Sequence, residues 1–226
     1  MRKLIILLAA AAAMLQARAL AEPVILLPDY RGVAKMFVEE TGDIFNTLSR
    51  SARHELLSAY GKDGKDSASV VSNDFGSTES RLMRVTDDYM LVATSSSRMV
   101  EMKLLPKSKR DTVVVVIETA RMPHYSDSRI TFYDTKWNKL DTDEFIDVPC
   151  IDDFIVPKAP EQLRRELLSE VAFAMIEMKL DGDELVAQCN LKNFFLGENY
   201  DRYSSIVLDR VTYSIKKAKF KKIESR

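Results

Sequence analysis

The sequence predicts an α+β protein, in which N-terminal helices pack on a large antiparallel β-sheet made of a meander and hairpins. Apolar and polar residues alternate over 98–105, and residues 112–117 are almost all β-branched and apolar. A polar turn that begins with Pro106 separates these runs, so they predict a hairpin at the centre of the sheet. Upstream, apolar side chains recur every four residues, as on one face of an α-helix: Leu48, Ala52, Leu56 and Tyr60.

The helical part covers 33–60, where Ser49 or Ser51 can cap a helix and Gly61 can end it. After a flexible loop at 61–67, the spacing from Val70 to Leu140 is that of an antiparallel meander. Besides the central hairpin, its predicted strands are 69–75, 81–86, 89–94, 128–133 and 137–140.

The rest of the chain predicts a second, smaller set of elements. Pro160 is placed to open a short helix at 161–170, and Asp181-Gly182 is a favoured turn between two strands within 172–191. We further expect a helix within 198–208, a last strand at 211–215 and a frayed basic tail from Lys216.

The N-terminus has the pattern of a signal peptide. Arg2 and Lys3 precede an apolar run at 4–15, and Ala19-Leu20-Ala21 has the small-residue pattern of a cleavage site. We expect residues 1–21 to be removed after Ala21, which leaves 22–226 (226 − 21 = 205 residues) as a single α+β domain. A retained N-terminal anchor is the alternative. The order of helix and hairpins also suggests two similar halves, about 22–159 and 160–226, although no repeat is visible at the residue level.

Charge and hydropathy limit the partners of the mature chain. Loss of Arg2, Lys3 and Arg18 lowers the basic residues from 33 to 30 against 34 acidic ones, a net charge of −4. This balance predicts no nucleic-acid partner. A second long apolar run is absent from the sequence, so no membrane span is expected after cleavage.

The two cysteines, Cys150 and Cys189, leave two interpretations open. In an oxidising compartment they form a candidate disulfide, and otherwise they are two separate thiols. With so few cysteines and no histidine nearby, no zinc site is predicted.

No catalytic, metal or cofactor motif stands out. A zinc-protease helix needs a second histidine four residues after His54, where Ser58 stands. His124 lies in a loop near Ser126 and Asp127, but the chain has no Gly-x-Ser-x-Gly elbow and no glycine-rich phosphate loop. We therefore name no catalytic residue, metal or cofactor.

Asp127, Ser128 and Arg129 are the candidate binding residues, at a junction of loop and strand. A structural role, with Arg129 paired to Asp127 across a turn, is the competing interpretation. Trp137 with Tyr133 and Phe132 forms either a sugar-stacking platform or part of the core. The basic tail, 216–222, either touches anionic glycan or lipid headgroups or is a solvated end.

Several short motifs carry a resemblance to a known family. They are Thr86-Asp87-Asp88-Tyr89, Met102-Lys103-Leu104-Leu105-Pro106, Asp127-Ser128-Arg129-Ile130 followed by Phe132-Tyr133, Trp137 with Leu140, and Asp152-Asp153-Phe154. In this order and spacing, from about Phe37 to about Lys217, the chain resembles an uncharacterised family of secreted Bacteroidales proteins, the domain of unknown function DUF3256. The resemblance implies an exported protein and no established activity or catalytic residues.

The resemblance also implies candidate O-glycosylation sites. Asp66-Ser67-Ala68 and Asp111-Thr112-Val113 are similar to the sequons of that bacterial group, and Ser67, in the flexible loop, is the favoured acceptor.

The function we expect is that of an exported periplasmic or cell-surface protein that binds an unknown protein or glycan without catalysis. The alternative is a hydrolase whose site is assembled from scattered residues, with His124 or His54 meeting a serine or a carboxylate. A third hypothesis is a structural or inhibitor-like module that presents an edge strand or a set of loops.

Overall fold

The structure is a computed structural model of the 226-residue chain. It describes residues 28–64, 67–73, 78–171, 173–189, 191–195 and 198–223, with the side chains of 198 and 199 left out. Arg31–Arg226 forms one compact unit, and the chain up to Tyr30 belongs to a separate unit. The predicted cleavage site after Ala21 lies outside the described residues.

Two helices precede the first strand: α1 is Gly32–Glu39 and α2 is Arg50–Ala59. The side chain of Ser49 accepts the N–H of Ala52 at 3.2 Å, so Ser49 is the N-cap of α2, as one of the two predictions had it. Gly32 has φ 56°, and a Cβ there would lie 2.0 Å from the carbonyl oxygen of Asp87. A glycine is therefore required where α1 begins against the following sheet.

The first sheet, sheet A, is a six-stranded antiparallel meander in the order β1-β2-β3-β4-β5-β6. Its strands are Ser69–Ser72, Glu79–Val85, Tyr89–Ala93, Arg98–Pro106, Thr112–Arg121 and Ser126–Tyr133. The predicted central hairpin is β4 with β5, in which Met102 lies opposite Val116. The meander and the hairpin are thus confirmed.

The second sheet, sheet B, has four antiparallel strands in the order β10-β9-β8-β7. Its strands, in chain order from β7, are Ile176–Asp181, Glu184–Cys189, Arg210–Lys216 and Lys219–Lys222. Helices α3, α4 and α5 are Glu161–Glu170, Leu191–Phe194 and Glu198–Tyr203, and 3-10 turns cover Thr142–Glu144 and Ile151–Phe154. The α+β class is confirmed, with the sheet content divided between two sheets.

Strand β5 separates two hydrophobic cores. Val114 and Val116 belong to the core that includes Phe37 and Leu56 of the N-terminal helices. Val113, Val115 and Ile117 belong to the core shared with sheet B. All five of these β5 side chains are at most 2% exposed. This burial on both faces explains the unbroken apolar run of this strand.

Three local predictions are wrong. Residues 137–140 form no strand, and only an isolated bridge joins Lys139 to Tyr133. The basic tail does not fray from Lys216, because β10 pairs with β9 and buries Phe220. The central residues of the second hairpin's turn are Gly182 and Asp183, since Asp181 already pairs with Glu184. Among the described residues, no helix is both long and apolar enough to cross a membrane.

Candidate functional site

Asp127 and Ser128, two of the predicted binding residues, hold the two sheets together. The N–H of Ile176 donates to Asp127 Oδ1 at 3.1 Å, and the N–H of Met178 donates to Ser128 Oγ at 2.9 Å. The next alternate amide, that of Leu180, donates to Glu101 Oε2 at 3.0 Å. Side chains of sheet A thus accept the N–H groups along β7, the edge strand of sheet B. We call this set the β7 junction.

Arg129, the third predicted residue, does not pair with Asp127 as the structural interpretation expected. Its guanidinium group binds Glu118, directly opposite on β5, with Nε 3.1 Å from Oε2 and a second contact through Nη2. The Arg98 guanidinium contacts the other carboxylate oxygen of Glu118. The side chain of Arg129 is 75% exposed and lines a cleft.

This cleft, called here the Arg129 cleft, has a volume of about 390 Å³. One wall is segment 40–44, which follows α1. The floor is formed by Glu118, Arg129 and Thr131, and the opposite wall by Tyr133 and residues of the turn after β6. The connection between α1 and α2 and the edge of sheet A therefore meet at one polar depression.

Two arginines fix segment 40–44. Arg53 Nη1 on α2 donates to the carbonyl oxygens of Phe37 and Glu40, at 2.8 and 2.7 Å, and lies 3.4 Å from Glu40 Oε2. Arg98 Nη2 donates to the carbonyl oxygen of Ile44 at 2.8 Å. Because these bonds join the segment to α2 and to β4, this wall of the cleft is preformed.

Trp137 stands in the turn of the other wall with φ 66°, in the left-handed region. Asp134 holds this turn, since its Oδ1 accepts the N–H groups of Lys136 and Asn138 at 2.8 and 2.9 Å. The indole packs edge-on against Tyr133, with the ring centroids 5.3 Å apart. A bulky residue with positive φ is uncommon, and strained backbone of this kind concentrates at functional sites.

Of the three aromatic residues, Phe132 is a core residue, and Tyr133 and Trp137 are half-buried and pack against the core of the N-terminal helices. Tyr133 and Trp137 meet in the cleft, but Phe132 points to the opposite face of β6, where it stacks on Phe145 at 4.6 Å. Adjacent residues of a strand face opposite sides, so Phe132 cannot join the other two rings.

Electrostatics keep the carboxylate on the cleft floor charged. Burial alone would raise the pKa of Glu118, but hydrogen bonds from Arg129 and Arg98 outweigh it and hold that pKa below its ordinary value. Burial, with the nearby charge of Glu118, raises the pKa of Tyr133. At neutral pH the cleft thus presents a carboxylate, a guanidinium group and a neutral phenol.

The analysis of the sequence missed Glu118 and segment 40–44. The available signal for Glu118 was a single glutamate at the end of an otherwise apolar strand. Segment 40–44 carries no motif, and only the packing of α1 and α2 places it beside β6.

The remaining candidate residues lie elsewhere. Cys150 is exposed and Cys189 is buried, and both are free thiols in the structure, so the disulfide between them stays a prediction. Ser67 is half-buried, and Asp66 of its sequon lies outside the described residues.

Neither histidine lines the Arg129 cleft. His124 is exposed between β5 and β6, and its carbonyl oxygen accepts from Asn193. His54 is half-buried on α2, where burial and then Arg50 lower its pKa. In the described part of the chain, no group of three or more His, Cys, Asp or Glu side chains is arranged to hold a metal ion.

The architecture and the cleft define an α+β protein with two meander sheets and a preformed polar cleft beside the edge strand of the larger one. The chain belongs to the family described as protein of unknown function (DUF3256), whose model matches residues 31–220. A solved structure of a domain of an uncharacterized protein from Porphyromonas gingivalis W83 has a similar fold, with TM-score 0.75 and 19% identity. The match covers 87% of this chain and 100% of that one. A comparison with curated proteins finds no match.

Proposed function

We propose that the protein is exported to the periplasm or cell surface, as a secreted Bacteroidales protein, and binds a glycan in the Arg129 cleft without catalysing a reaction. The N-terminal signal pattern, with cleavage after Ala21, supports export.

The single observation that carries the binding function is Trp137, held with φ 66° against Tyr133 in a cleft that also exposes Arg129. Left-handed backbone costs a bulky residue roughly 1–2 kcal/mol, which glycine at this position would avoid. Aromatic rings accept the C–H face of a sugar ring, and neighbouring charged groups bind its hydroxyl groups. A volume of about 390 Å³ suits a short oligosaccharide.

The charge state of Glu118 argues against one form of the hydrolase alternative, in which Glu118 is the proton donor. A glycoside hydrolase needs one carboxyl group that is protonated at working pH so that it can donate a proton. Two guanidinium groups beside Glu118 lower its pKa, so it is unsuited to that role. The hydrolase remains the alternative hypothesis, and hydrolysis of a bound oligosaccharide would establish it.

The experiment is a titration with neutral and acidic oligosaccharides, followed by the fluorescence of Trp137, which is the only tryptophan in the chain. We expect saturable changes in emission. In the Trp137→Gly variant glycine tolerates the positive φ, but the packing of the indole against the core is lost, so we expect a lower Tm in a protein that still folds. This variant should show no binding by calorimetry.

Phe173→Ala is the matched control, since Phe173 is 65% exposed and lies outside the cleft. Wild-type affinity in Trp137→Gly, or no response of Trp137 to any member of the panel, would refute the proposal.

A further inference from the structure

Charged side chains of both signs surround the Arg129 cleft. Three carboxylates line it, those of Glu40, Asp43 and Glu118. Three cationic side chains also line it. Beside the lining lie two arginines, which contact Glu40 and Glu118, and one further carboxylate, that of Asp134, so five cations stand beside four carboxylates. These five are Arg53, Arg98, Arg129, Lys136 and Lys139.

Pairing within the protein leaves two of these cations available. Glu118 is shared between Arg98 and Arg129, and Glu40 lies against Arg53. Within the described ranges, no ion pair or side-chain hydrogen bond involves the ammonium group of Lys136 or Lys139, both of which are exposed. The lysines can therefore serve a ligand without giving up an existing contact.

Asp134 and Asp43 form no ion pair with these lysines within the described residues. Hydrogen bonds from Asn138 and Lys136 within the turn, with the charge of Lys136, lower the pKa of Asp134, so its carboxylate stays charged and offsets part of the positive charge. Asp43 belongs to the opposite wall, on segment 40–44, and forms no ion pair among the described residues.

The positive balance is local, because the whole chain has a formal net charge of −1 at pH 7. An excess of one charge sign in a cleft concentrates ligands of the opposite sign, and low-dielectric walls strengthen the effect. In an otherwise slightly acidic protein, this position favours an anionic ligand.

We infer that the glycan bound in the Arg129 cleft is acidic, with its sugar ring against Trp137 and Tyr133 and its carboxylate or sulfate group bound by Lys136 and Lys139. This inference rests on the function proposed above and specifies its ligand class. Arg129 contributes charge but is already bound to Glu118, so the two lysines supply the selectivity.

The test pairs each acidic oligosaccharide with a neutral counterpart of the same size. The pairs are oligogalacturonate with its methyl ester, a sialylated oligosaccharide with its desialylated core, and a sulfated oligosaccharide with its desulfated form, with an acidic peptide beside them. Affinity is measured from the emission of Trp137 at low and at physiological salt.

We expect at least one acidic oligosaccharide to bind roughly tenfold or more tightly than its neutral counterpart, with a difference that shrinks as salt is added. Changing Lys136→Met and Lys139→Met together should remove this difference, with a larger loss of affinity for the acidic oligosaccharide than for its neutral counterpart. Lys109→Met is the matched control, since Lys109 is exposed on the turn between β4 and β5.

Failure of the inference and failure of the proposed function give different results. Equal or tighter binding of the neutral counterparts overturns the acidic ligand but leaves glycan binding in place. An acidic preference that survives in the double lysine variant also overturns the inference. No response to any oligosaccharide overturns both statements, and a response to the acidic peptide alone replaces the glycan with a protein ligand.

Discussion

Glu101 of β4 offers a sharp test of the β7 junction. This glutamate is 6% exposed, and its Oε2 accepts two hydrogen bonds, from the Tyr89 hydroxyl and from the N–H of Leu180, each at 3.0 Å. Replacement by alanine leaves both donors without this acceptor. At about 1–3 kcal/mol for the buried N–H of Leu180 and less for the half-buried hydroxyl of Tyr89, Glu101→Ala should lower the free energy of unfolding by about 2–4 kcal/mol.

Glu101→Gln separates hydrogen bonding from charge. The amide oxygen of glutamine can accept both bonds, and the substitution removes the need to bury a carboxylate. We expect the free energy of unfolding of this variant at neutral pH to equal or exceed that of the wild type.

The two proteins should also differ in their pH dependence. Burial raises the pKa of Glu101, even though the hydrogen bonds from Leu180 and Tyr89 act against the shift. Because the folded pKa lies above the unfolded one, ionisation of Glu101 destabilises the folded state as pH rises from the ordinary value of 4.5 through the raised pKa. The advantage of Glu101→Gln over the wild type should therefore grow over this window.

Urea unfolding at a series of pH values, followed by circular dichroism, measures these differences. Equal stability of the alanine and glutamine variants would show that the two hydrogen bonds contribute nothing. A constant difference between wild type and Glu101→Gln over the pH series would show that the raised pKa is wrong.

Three further predictions concern other residues. Ser128→Ala should lower the free energy of unfolding by about 1–3 kcal/mol, because the N–H of Met178 loses its acceptor. Ser126→Ala is the control in the same unfolding assay, and equal values for the two variants would contradict a structural role of Ser128. In thiol titration, the exposed Cys150 should react in the native protein, whereas Cys189, whose pKa burial raises to about 11, should react only after unfolding. A native protein without reactive thiol, together with two thiols after reduction, would instead support the Cys150–Cys189 disulfide. The intact mass of protein from the native envelope fraction should begin at Glu22, and a mass that includes Met1 would refute cleavage after Ala21.

Local sequence patterns were sufficient to predict an element where the periodicity of a strand or of a helix dominates the segment. The alternation before Pro106 and the β-branched run after it predicted the central hairpin, and the spacing from Leu48 to Tyr60 predicted α2 with its Ser49 cap. Patterns failed where a partner from elsewhere decides the conformation. The lysine-rich segment 219–222 is a strand because Phe220 fills the core beside Phe132, a contact that charge content does not reveal.

In the candidate site, too, local sequence and tertiary contacts lead to different conclusions, here for three adjacent residues. Arg129 was predicted together with Asp127 and Ser128 because the three are neighbours in sequence. In β6 the contacts of the three residues differ. Asp127 and Ser128 accept hydrogen bonds from N–H groups of β7, whereas Arg129 contacts Glu118 and lines the cleft. A resemblance based on sequence motifs marks all three residues equally, and only the register between strands distinguishes their roles.

The sequence by itself determined the α+β class, the central hairpin, the N-terminal signal pattern and the family resemblance, because each depends on residues that are close along the chain. Tertiary structure decided that the strands form two sheets, that side chains of one sheet accept the edge amides of the other, and that Arg129, Glu118 and Trp137 meet segment 40–44 in one cleft. These contacts join residues far apart in sequence, and their geometry follows from the packing of two cores on opposite faces of β5.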